Sequence, residues 1–124
     1  MKTLRNSFFC LLGLVGLTST AHAQAWTQTY NGPGNSTDIA AKMTLDDAGN
    51  VYVTGNSIGA GTGSDIITYK YSSAGAVLWS RRYNAPANLD DVGKAIAVDS
   101  AGNIYVSGES NGGAGSGIDY LTLK

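Results

Sequence analysis

The sequence predicts an all-β protein made of two repeated, four-stranded antiparallel units behind a short N-terminal leader. Three observations predict it. The stretch Asp46-Asp47-Ala48-Gly49-Asn50-Val51-Tyr52-Val53-Thr54-Gly55 returns fifty-three residues on as Asp99-Ser100-Ala101-Gly102-Asn103-Ile104-Tyr105-Val106-Ser107-Gly108. Val, Ile, Thr and Tyr gather in short runs separated by turns containing Gly, Ser and Asp, the pattern of strands and hairpins. No window of about a dozen residues repeats its apolar positions with the period of about 3.6 that a helix needs, so helix is expected to be nearly absent.

Residues 1–23 read as a secretion signal. Lys2 and Arg5 supply a positive start, and the apolar run 8–17 is too short to span a bilayer. Ala21-His22-Ala23 then offers the small-x-small pattern cut by a signal peptidase, which puts cleavage before Gln24. The mature chain is therefore expected to be secreted, periplasmic or at the cell surface, with no membrane span left. Cleavage also removes Cys10 and His22, the only cysteine and histidine. Without them a Cys nucleophile, a Ser-His-Asp triad, a His-ligated zinc or haem and a disulfide are all excluded within this chain. Six Lys and Arg against nine Asp and Glu remain, so nothing in the charge favours nucleic acid as a partner.

From residue 24 to 124 the elements follow in order. Residues 26–30 align with 79–83, Trp26 on Trp79 and Tyr30 on Tyr83, and read as a strand of the fourth type. Residues 41–45 and 95–98 make first strands. Residues 50–54 and 103–107 make second strands that stop at Gly55 and Gly108. Residues 65–71 and 119–124 make third strands, and 77–83 the second fourth strand. After Ser57 the second copy gains one residue in its Gly-rich loop, and Asp65, Thr68 and Lys70 then fall on Asp119, Thr122 and Lys124. Four strands in each unit make one blade of a β-propeller, so residues 24–124 divide into two repeats, about 26–78 and 79–124. A blade buries neither face alone, which is the physical reason for repetition.

The recurring decapeptide is the hinge between the first and second strands. Asp46 and Asp99 can accept backbone N–H groups, Gly49 and Gly102 can take positive φ, and Asn50 and Asn103 complete the turn. The ordered set Trp-x3-Tyr-Asn-x-Pro, Asp-x-x-Gly-Asn-[Val/Ile]-Tyr-Val-x-Gly, a Gly-rich stretch and Asp-x-x-Thr-x-Lys, present twice, resembles the bacterial SBBP repeat. That resemblance implies a secreted or surface propeller in a family whose functions are mostly unassigned, and it transfers no catalytic residue. Seven blades, as in the family's expected propellers, need several hundred residues, whereas this chain offers eight strands, a partial propeller shifted by one strand. Two arrangements follow. The chain is part of a longer propeller, or protomers donate residues 26–30 head to tail and form a homo-oligomeric ring.

Candidate sites are few. Asp38, Asp46, Asp91 and Asp99 are paired acids that could bind calcium with nearby carbonyls, but their spacing is not that of an EF-hand and turn acids are the preferred reading. Trp26, Tyr30, Trp79 and Tyr83 could stack on sugar rings, but their matching positions favour packing between blades. Arg81-Arg82 reads as part of a solvated outer strand. The expected function is a non-catalytic scaffold for protein or polysaccharide, without a cofactor; the alternative is a carbohydrate-active propeller or a calcium-dependent carbohydrate-binding one.

Overall fold

The computed structural model describes residues 25–124; the expected signal peptide, 1–23, lies outside them. Seven strands run in sequence order: β1 (Asp38–Leu45), β2 (Val51–Ile58), β3 (Ser64–Tyr71), β4 (Val77–Tyr83), β5 (Asp91–Val98), β6 (Ile104–Asn111) and β7 (Ile118–Leu123). Within each of two sheets every strand pairs antiparallel with the next, giving a four-stranded sheet β1-β2-β3-β4 and a three-stranded sheet β5-β6-β7. Among the described residues there is no helix, and so none long and apolar enough to cross a membrane.

Two expectations need correction. Gly55 and Gly108 do not end their strands: β2 and β6 run on to Ile58 and Asn111. Each glycine faces a slip in register, between Ala40 and Lys42 on β1 and between Gly93 and Ala95 on β5. There the bulged strand swings so close that a Cβ on Gly55 would overlap the Ile39 carbonyl, and one on Gly108 the Val92 carbonyl. The bulges also explain why β1 and β5 begin earlier than the apolar runs 41–45 and 95–98 indicate.

The second correction concerns residues 26–30, expected as a strand. They pair with no strand. They run beside the first sheet, where Trp26 Nε1 donates to the Ser73 carbonyl (3.2 Å) and Gln28 Nε2 to that of Gly75 (2.8 Å). Aromatic contacts fix the segment: Trp26 meets Tyr71 at 5.8 Å between ring centroids, and Tyr30 meets Tyr69 at 5.1 Å.

Strand alternation sorts the faces. Tyr52, Thr54, Ile66 and Thr68 turn towards the second sheet, where β5 packs against β1, β2 and β3. Tyr52 and Ile66 are buried there, and Thr54 and Thr68 share a 3.0 Å hydroxyl hydrogen bond. Val53, Tyr69 and Tyr71 turn the other way, to residues 26–30.

Candidate functional site

The repeated turn is built around one carboxylate. Asp46 Oδ1 accepts the N–H groups of Ala48 (3.0 Å) and Asn50 (2.9 Å), while Oδ2 accepts Asn50 Nδ2 (2.8 Å) and the Tyr52 hydroxyl (3.0 Å). Asp99 repeats the set with Ala101 (3.0 Å), Asn103 (2.8 and 2.7 Å) and Tyr105 (3.1 Å). Gly49 and Gly102, at φ +76° and +80°, close the turns. Four donors hold Asp46 at a pKa of about 2, with Asn50 the largest influence, and Asp99 is lowered chiefly by Asn103. Lys70 adds its charge 3.7 Å from Asp46.

Asp38 and Asp91 stand at the opposite ends of β1 and β5. Asp38 accepts the Gly32 N–H (2.9 Å) and Asp91 that of Ala85 (2.7 Å), so each ties the incoming loop to its sheet. The Ser57 hydroxyl, then the Gly32 N–H and the Arg82 charge, lower the Asp38 carboxyl. The calcium candidates thus occupy opposite ends of the strands. Among the described residues no three acidic, His or Cys side chains converge as metal ligands.

Arg82, expected on a solvated outer strand, is instead half-buried and fully engaged. On β4, Trp79, Arg81 and Tyr83 share the face towards the second sheet, while the Arg82 guanidinium turns to the other side. There its Nη1 donates to Asp65 Oδ2 (2.7 Å) and the Ser57 carbonyl (3.0 Å), and its Nη2 to Ser57 Oγ (2.7 Å) and the Tyr30 hydroxyl (2.9 Å). Alternation along β4 carried the signal, since two adjacent arginines in a strand cannot face the same way.

Trp79 and Tyr83 line one wall of a groove of about 520 Å³, with Arg81, Ile66 and Thr68; Ile104, Val106 and Leu123 line the other. Its counterpart, of about 540 Å³, sets Trp26, Gln28 and Tyr30 against Val51, Val53 and Tyr69. Residues 26–30 therefore stand to β2 and β3 as β4 stands to β6 and β7. The four aromatics expected at packing positions all lie in these grooves. The contents differ: Tyr69 meets Tyr30, whereas Leu123 replaces it in the second groove and brings no ring to Tyr83. Arg81 lies beside Trp79, 6.0 Å from its ring centroid. Such a groove offers aromatic faces and the cations of Arg81 and Lys124 to a ligand, with no pair of carboxylates facing across it.

No curated relative matches the chain. The sequence profile of the SBBP β-propeller repeat matches residues 25–61 and again 78–113. The two matches begin at equivalent places, one residue before Trp26 and one before Trp79, and together span more than half the chain, which belongs to this β-propeller repeat family.

Proposed function

We propose that the chain is a secreted or cell-surface propeller module that works as a non-catalytic scaffold, binding protein or polysaccharide without a cofactor. The observation that carries this reading is the groove between β4 and the second sheet. It is mostly apolar, it presents Trp79 and Tyr83 with Arg81 beside them, and its volume of about 520 Å³ falls within the range of about 300–1,000 Å³ of ligand pockets. The four repeated acids are in keeping with a structural role, Asp46 and Asp99 in the turns and Asp38 and Asp91 in the loop ties.

The test is a screen of neutral and acidic polysaccharides against the chain and its Arg81→Gln variant, which restores the residue found at the equivalent position 28. Exposed Arg81 can be changed without touching the core. The reading predicts retention of an acidic polysaccharide that weakens about tenfold on losing one charge-assisted contact. Turnover of any glycan, or binding that needs added calcium, would favour the carbohydrate-active or calcium-dependent alternative.

A further inference from the structure

The two grooves carry the same ladder of side chains in different states. Positions 26, 28 and 30 hold Trp, Gln and Tyr, and positions 79, 81 and 83 hold Trp, Arg and Tyr. Beside β2 and β3 the ladder is spent within the protein. Trp26 meets Tyr71 and Tyr30 meets Tyr69 ring to ring, while the Gln28 amide donates to the Gly75 carbonyl. In the groove along β4, Leu123 stands where the repeat has Tyr69, and the Arg81 guanidinium donates to the Ser80 carbonyl next to it (2.9 Å).

Charge separates the grooves further. Among the described residues Arg81 forms no ion pair, and no Asp or Glu lines its groove, whereas Asp38 lines the other. Nor does this groove depend on what pairs with β7. In the first sheet β4 holds that outer place, and none of its residues lines the equivalent groove.

We infer that Trp79, Arg81 and Tyr83 form a subsite for a polyuronate, a polysaccharide with a carboxylate on each sugar. The inference rests on the binding role proposed for this groove and names its ligand. Alternate residues of a strand share a face about 7 Å apart, so the ladder presents a ring, a guanidinium and a second ring in line. A pyranose lays its C–H face on an aromatic ring. A uronate carries its carboxylate at the ring edge, where the planar fork of Arg81 receives it in two parallel hydrogen bonds, and the sugars on either side cover Trp79 and Tyr83. A densely sulfated chain suits the site less, because only Arg81 and Lys124 bring cations to it and the protein as a whole is net acidic. An acidic peptide has the carboxylate but no flat C–H face for the rings.

The probe is polygalacturonate, compared with its fully methyl-esterified form, dextran sulfate and poly-L-glutamate by affinity electrophoresis of the full chain in EDTA. Retention by polygalacturonate is expected, about tenfold or more weaker after esterification. Arg81→Gln should weaken retention by polygalacturonate to the same extent and retention by the ester no further, because both changes remove one contact. Lys94→Gln, which removes an exposed cation paired with Glu109 outside the groove, should leave retention unchanged. If no polymer retains the chain, the inference falls together with the polysaccharide role it rests on. Equal retention by the ester overturns the inference alone and leaves a neutral sugar as the ligand. It is also overturned if dextran sulfate retains the chain more strongly or Lys94→Gln weakens retention, since diffuse charge then governs binding. Equal retention by poly-L-glutamate overturns it in favour of an acidic protein segment.

Discussion

Arg82 and Asp65 form a 2.7 Å ion pair in which the Asp65 side chain is only 2% exposed. The pair joins β4 to the start of β3, and the same guanidinium also binds Tyr30 in the segment that precedes β1. Removing one partner of such a pair leaves a buried charge. Arg82→Thr should therefore destabilise the chain by about 3 kcal/mol, the low end of the range for buried pairs because Arg82 keeps some solvent contact. Equilibrium urea unfolding measures it. Arg82→Lys, which keeps the charge and loses the fork, should fall between the variant and the parent.

Acid should loosen the two turns. Asp46 titrates at about 2 in the folded chain against an ordinary value of 3.8, and Asp99 is lowered in the same direction. A depressed folded pKa means that the unfolded chain takes up the proton first, so this stability is fully present above the ordinary value and is lost as pH falls towards 2. Melting temperature should drop across that window. Asp46→Asn and Asp99→Asn should flatten the drop while lowering stability at neutral pH, and an unchanged acid limb in the double variant would show that other carboxylates control it.

Much of this architecture is legible in the sequence because a repeat reports on itself. Trp26 on Trp79, or Asp46 on Asp99, compares two copies under one fold, and strand composition places all seven observed strands. The boundaries at Gly55 and Gly108 were not legible, because the close approach of Ile39 or Val92 that requires glycine is a property of a neighbouring strand. Nor was the separation of residues 26–30 from any sheet, since a sequence matching β4 says that a strand can form there and not what pairs with it. In the candidate site, the spacing of Asp38, Ser57 and Asp65 along the chain does not disclose that they form one row. Arg82 joins that row only because β3 and β4 pair in a particular register.

Two glycines should respond differently to the same methyl group. Gly55 is extended, and a Cβ there would run into the backbone of Ile39, which cannot rotate away. Gly55→Ala should cost about 3 kcal/mol, the upper part of the overpacking range. Gly102 has open space around it but sits at φ +80°, so Gly102→Ala should cost only about 1 kcal/mol of backbone strain. Thermal unfolding of the two variants side by side tests the ordering, and equal losses would contradict the bulge geometry described for β1.

The two outer faces should associate. β1 exposes Ile39, Met43 and Leu45, and β7 exposes Ile118 and Tyr120, the latter at 92%. These faces lie at opposite ends of the two-sheet stack, because β5 covers the inner side of the first sheet and is itself part of the second. Contact between copies is therefore heterologous, β7 side to β1 side, and grows until it closes or stops. Light scattering at rising concentration should show increasing mass. Tyr120→Lys and Met43→Lys should each hold the chain monomeric when alone, because each spoils one of the two faces. Mixed together, the variants should recover a dimer and nothing larger, since the intact β7 side of one meets the intact β1 side of the other. A mixture that stays monomeric, or either single variant that still grows, would mean that association runs through some other surface.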